Sequence, residues 1–102
     1  MAEFVKVAKV SEIPPGTSRC VLVGNKKVAL FNVDGEFYAI DDMCSHAEAS
    51  LSEGPFEGEV VTCPRHGAKF NVKTGEALSM PAWAPVDTFK VKVEGDDIYV
   101  AP

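Results

Sequence analysis

At 102 residues the chain is long enough for one domain, with a small core that buries roughly two-thirds of the surface exposed by its unfolded form. Fifteen acidic against ten basic side chains give a net charge of −5, which argues against nucleic acid as a partner, because that binding needs a basic face. Hydrophobic residues make up 46% and charged residues 25%, an ordinary balance for a globular protein, and every apolar run is far too short to cross a bilayer. The start, Met1-Ala2-Glu3-Phe4-Val5-Lys6, lacks a basic stretch followed by an apolar one. With no disulfide framework among three cysteines, the expected compartment is a reducing cytoplasm.

Taken in order, Glu3 to Val10 alternates loosely and reads as a first strand. Ser11-Glu12-Ile13-Pro14-Pro15-Gly16 breaks it, since two prolines and a glycine do not continue a ladder. Thr17 to Val23 is a second strand, Gly24-Asn25 a turn, and Lys27 to Val33 a third strand. Asp34-Gly35 is the strongest hairpin signal, because a type I′ turn needs positive φ at both central residues. Glu36 to Ile40 is the returning strand. Ala47 to Ser50 is too short to assign as a helix. Glu59 to Thr62 and Ala68 to Val72 are short strands, separated by a glycine at Gly67 that permits a tight turn. Ser79 to Pro85 is irregular, with prolines at Pro81 and Pro85. Phe89, Val91 and Val93 alternate with Lys90, Lys92 and Glu94, and Asp97 to Val100 pairs back after Gly95-Asp96. No segment has helical periodicity over ten residues or more, so the expected class is all-β, a sandwich or barrel.

The chemistry-bearing residues concentrate between the strands. Cys44-Ser45-His46 is followed, sixteen residues later, by Cys63-Pro64-Arg65-His66. Both histidines and two of the three cysteines lie here. Each loop offers one thiol and one imidazole. Two sulfur and two nitrogen ligands suit either a tetrahedral zinc or a [2Fe–2S] cluster with two histidines on one iron. Zinc fingers usually pair like ligands within one knuckle. One of each per loop suits a binuclear centre that both loops grip.

This ligand pattern, Cys44-x-His46 and Cys63-Pro64-x-His66-Gly67, resembles the Rieske signature. Leu51-Ser52-Glu53-Gly54, Phe70, Thr74-Gly75, Pro81-Ala82-x-x-Pro85 and Asp97-Ile98-Tyr99-Val100 extend the resemblance across nearly the whole chain, toward the ferredoxin components of bacterial aromatic-ring-hydroxylating dioxygenase systems. The resemblance implies the Rieske fold, stacked antiparallel sheets with a small cluster-binding subdomain. It places one Rieske domain over residues 1–102, with the cluster-binding part at about 42–70 inserted in a β framework of 1–41 and 71–102. It also implies that Cys44 and Cys63 bind the inner iron, that His46 and His66 bind the outer one, and that the Pro81 segment covers the cluster.

Two ferric irons, two sulfides and two thiolates sum to zero charge when both imidazoles are neutral, so an added electron meets less repulsion than in an all-cysteine cluster. Quinol-oxidising Rieske proteins carry an extra cysteine in each loop; here Arg65 follows Cys63-Pro64 and no cysteine follows His46. Ala68 and Phe70 stand where those proteins place hydroxyl groups near the sulfurs. The expected potential is therefore at the low end, about −150 mV.

The reading is a soluble, monomeric one-electron carrier with no catalytic residues of its own. It takes electrons from a flavin-containing NAD(P)H reductase and gives them to a terminal oxygenase, without nucleic acid or membrane as a partner. The alternatives are the ferredoxin of a diiron aromatic monooxygenase and the small Rieske subunit of an NAD(P)H nitrite reductase-like flavoenzyme. A zinc-stabilised interaction domain, colourless and redox-silent, is the third class. Cys20 reads as a buried apolar residue. Trp83 reads as packing, with docking as the functional alternative. The acidic excess reads as a solvated surface, with steering toward a basic partner as the alternative.

Overall fold

The computed structural model describes residues 4–43, 50–64, 67–78 and 85–101. Among them are nine strands: β1 Val5–Lys9, β2 Ser18–Val23, β3 Lys26–Val33, β4 Glu36–Asp41, β5 Phe56–Glu57, β6 Val60–Thr62, β7 Lys69–Asn71, β8 Thr88–Glu94 and β9 Asp97–Ala101. Six form one antiparallel sheet in the order β1-β9-β8-β4-β3-β2, and β5-β6-β7 form a second, small sheet. The two edge strands, β1 and β2, also lie against each other, so the large sheet curls toward a barrel. This is the all-β architecture of stacked antiparallel sheets expected from the sequence.

Strand β3 is where the two sheets share material. Val28 and Leu30 point into the barrel, beside Ala8, Ile13, Val21, Val23, Ala39, Ile98 and Val100. Ala29 and Phe31 point the other way, into a second core with Ile40, Leu51, Val61, Cys63, Ala68, Phe70, Val72 and Val86. Alternation of side chains along a strand thus feeds two cores from one segment. It explains why Val28, Ala29, Leu30 and Phe31 form a continuous apolar run, each with no exposed surface. Phe31 meets Phe56 of the small sheet edge-on, with ring centroids 4.9 Å apart and planes at 66°, a favoured aromatic geometry.

The β3–β4 hairpin turns at Asp34-Gly35 with φ of 52° and 94°, and Val33 pairs with Glu36 across it. The primed turn expected from the sequence is present. Behind it, Asn32 is buried, its amide donating to the Ile13 carbonyl at 2.7 Å and its side-chain oxygen accepting from the Gly35 N–H at 2.7 Å. That residue ties the proline-rich segment after β1 to the hairpin, so a buried polar group is satisfied at both ends.

Two local expectations change. Phe56–Glu57 forms a strand that the sequence pattern does not reveal: it is two residues long and is defined by pairing with Val61 and Val60. Cys20 is exposed and not buried. The inward positions of β2 are Val21 and Val23, so Cys20 shares the outer face with Leu22, itself 62% exposed.

Phe31 joins the barrel wall to the small sheet, so Phe31→Ala is expected to destabilise the protein by about 3–5 kcal/mol. Urea unfolding followed by circular dichroism measures this; a midpoint unchanged from the parent protein would show that the two sheets do not depend on this contact.

Candidate metal centre

The first loop begins where β4 ends. Met43 and Ser50 form an isolated antiparallel bridge that closes it. Cys44 and His46 lie between them, outside the described residues. Asp42, only 3% exposed, sits at the base. One carboxylate oxygen accepts the Ser52 N–H at 2.9 Å. The other accepts the Ser50 hydroxyl and the Cys20 thiol, the latter at 3.6 Å. Its backbone carbonyl accepts the Leu51 N–H at 2.7 Å, and its own N–H donates to the Lys27 carbonyl at 3.2 Å. Burial pushes this carboxyl's pKa upward, but the hydrogen bonds from Ser50, Ser52 and Cys20 outweigh it and hold the group below the usual carboxylate range.

The second loop begins at the end of β6. Cys63 is 1% exposed and lies in the same core as Leu51, Ala68 and Phe70. Its N–H donates to the Ala68 carbonyl at 2.6 Å, and its carbonyl accepts the Gly67 N–H at 3.0 Å. Gly67 has φ of 76°, as a tight return requires. Arg65 and His66 lie outside the described residues. The chain that follows the first loop lies close against the start of the second. A Cβ on Gly54 would run into the Thr62 carbonyl oxygen and come within 3.2 Å of the Pro64 ring. The Thr62 N–H meanwhile donates to the Pro55 carbonyl at 2.8 Å.

The flanks of a third segment, which contains Pro81 and Trp83, arrive in the same region. The Leu78 N–H donates to the Lys69 carbonyl at 2.7 Å, and the Val86 N–H to the Gly75 carbonyl at 2.9 Å. Val86 belongs to the core that holds Leu51 and Cys63. Pro81 and Trp83 themselves lie outside the described residues. The structure therefore places Cys63 directly and brings the described flanks of all three loops to one core. Among the described residues no three His, Cys, Asp or Glu side chains gather into a metal site, as follows when Cys44, His46 and His66 are not among them.

The donor set fits an iron–sulfur centre. A thiolate at the depth of Cys63 is costly to bury unless a cation balances it, and ferric iron does so. The sequence reading overlooks Asp42, Ser50 and Ser52. An acid beside a ligand loop looks like surface charge. The signal available was polar residues on both sides of that loop, Asp41-Asp42 before it and Ser50 and Ser52 after it, and only the tertiary structure shows them converging.

A curled antiparallel sheet carrying a small second sheet, with a buried cysteine at the end of a short strand, defines an all-β protein whose loop-bearing strands share one core. The Rieske [2Fe-2S] domain family matches residues 3–90, and the chain belongs to it. The chain is 46% identical over 98 residues to the biphenyl dioxygenase ferredoxin subunit of Pseudomonas sp. (strain KKS102), covering 95% of this chain and 90% of that one. It is 49% identical over 92 residues to the 3-phenylpropionate/cinnamic acid dioxygenase ferredoxin subunit of Shigella flexneri serotype 5b (strain 8401), covering 89% and 86%. Among solved structures, a complex of reduced oxygenase and oxidised ferredoxin in carbazole 1,9a-dioxygenase contains a chain 44% identical. That chain matches with a TM-score of 0.91 over 96% of this chain and 92% of its own. The relatives are electron-transfer components of oxygenase systems and not the catalysts. Family membership carries the cofactor with it, a Rieske-type [2Fe–2S] cluster. No helix among the described residues is long and apolar enough to cross a membrane.

Because Gly54 lies against the Thr62 carbonyl and Pro64, Gly54→Ala is expected to force these two segments apart, with a loss of about 1–3 kcal/mol and reduced iron content. Thermal unfolding and iron analysis of the same preparation check both; parent-like values for each would remove the close approach from the account.

Proposed function

We propose that Cys44, His46, Cys63 and His66 hold one [2Fe–2S] cluster, the cysteines on the inner iron and the histidines on the outer. In this reading the chain carries single electrons from a flavin-containing NAD(P)H reductase to the terminal oxygenase of an aromatic-ring-hydroxylating dioxygenase system. The observation that carries the ligand assignment is the depth of Cys63. A cysteine buried among Leu51, Ala68 and Phe70 suits an inner ligand. The cluster supplies the one-electron chemistry. The chain holds it, keeps water from its sulfur side, and presents the imidazole side to partners. An imidazole edge at the tip lets an electron leave without the cluster being uncovered. An NAD(P)H-linked donor would suit a cytoplasmic setting.

The similarity to ferredoxin subunits of biphenyl and phenylpropionate dioxygenases supports the oxygenase as acceptor. The reductase as donor follows from redox order, since a carrier at about −150 mV accepts electrons readily from a reduced flavin.

The test is a reconstituted biphenyl dioxygenase from which its own ferredoxin has been left out. Adding the iron-loaded chain is expected to restore oxygen uptake and dihydrodiol formation, and His66→Ala is expected not to. A fully loaded chain that the NADH-driven reductase cannot reduce would contradict the donor assignment.

A further inference from the structure

We propose that Asp42 is a positioning residue for the cluster: its carboxylate latches the base of the loop carrying Cys44 and His46, and its fixed negative charge holds the reduction potential down. The inference rests on the ligand assignment above. It concerns a residue that is not itself a ligand in that assignment.

The geometry makes Asp42 the common partner of three separate pieces of chain. Cys20 reaches it from β2 at 3.6 Å, and the Asp42 backbone N–H donates to the Lys27 carbonyl of β3 at 3.2 Å. From the far side of the loop come the Ser50 hydroxyl, the Leu51 N–H at 2.7 Å and the Ser52 N–H at 2.9 Å. Ser50 and Ser52 also bond each other through their hydroxyls at 3.0 Å, and the Ser18 hydroxyl donates to the Ser52 carbonyl at 2.9 Å. Residue 42 and residues 50–52 are therefore joined by backbone and side chain at once, so the two ends of the loop are tied together. A loop with fixed ends loses little further entropy when its ligands engage.

Every side-chain partner donates to the carboxylate, so it acts only as an acceptor, the behaviour of the ionised form. The contrast with its neighbour is instructive. Asp41 pairs with the Lys26 ammonium at 3.4 Å, whereas no described Lys or Arg forms an ion pair with Asp42. Among the described residues the charge at Asp42 is thus met by hydrogen-bond donors and not by an ion pair. Cys44 is two residues away, a chain reach of about 7 Å. A buried charge this near in sequence to a ligand acts through a medium less screening than water. An electron arriving on the cluster meets that charge, so the oxidised state is favoured.

Three variants separate the latch from the charge, each compared with the iron-loaded parent for chelator-driven iron release and for reduction potential by EPR-monitored titration. Asp42→Asn keeps an acceptor for the Ser52 N–H and the shape of the site but removes the charge; its potential is expected to rise with iron content near that of the parent. Asp42→Ala removes both, and iron release is expected to quicken about tenfold or more. Ser50→Ala removes one donor and keeps the charge. It is expected to quicken release without raising the potential, and it tests the latch even if an Asp42 variant fails to fold. An unshifted potential in Asp42→Asn overturns the charge, and parent-like release in Asp42→Ala and Ser50→Ala overturns the latch. A parent protein that binds no iron would overturn the ligand assignment instead, and these variants do not bear on that outcome.

Discussion

The rest of the structure depends on β3 having two buried faces. A strand in an antiparallel sheet normally gives one face to the core and the other to water. Here Val28 and Leu30 fill the barrel while Ala29 and Phe31 face the small sheet, and all four have no exposed surface. Each fully buried aliphatic or aromatic side chain contributes about 1.5–3 kcal/mol, so one short strand serves both cores. Without that second face, β5, β6 and β7 have little to pack on. Strands of two or three residues do not stand alone.

The site inherits its position from this arrangement. Ile40 on β4 faces the same core as Phe31, and the chain then runs through Asp41 and Asp42 into the first loop. Val61 on β6 also faces that core, and the next inward residue is Cys63. The two loops start from strands that share a packed layer, so their relative placement is set by side-chain packing. Gly54 allows the final approach, where a larger residue would strike the Thr62 carbonyl.

Much of this was legible in the sequence, for identifiable reasons. The Asp34-Gly35 hairpin was readable because positive φ at two successive residues has few chemical solutions. The pairing of β8 with β9 was readable from the alternation of Phe89 and Val91 with Lys90 and Lys92. The ligand pattern was readable because a cysteine and a histidine recur together at short spacing. What escaped depends on long-range contact. Phe56 becomes part of a strand only through Val61 and Phe31. Cys20 reads as buried because free cysteines usually are, yet Val21 and Val23 take the inward positions of β2 and leave it outward, toward Asp42. Asp42 itself looks like one more acid in an acidic chain until the fold buries it under Ser50 and Ser52.

The central claim is that the four thiol and imidazole groups hold a Rieske cluster that works as a one-electron carrier. Its most direct test is a redox titration of the anaerobically purified protein, followed by low-temperature EPR. The account predicts a rhombic signal of low average g that appears on reduction near about −150 mV. A signal at strongly positive potential would contradict the low-potential carrier role. No signal, with zinc found by metal analysis, would contradict the cluster itself.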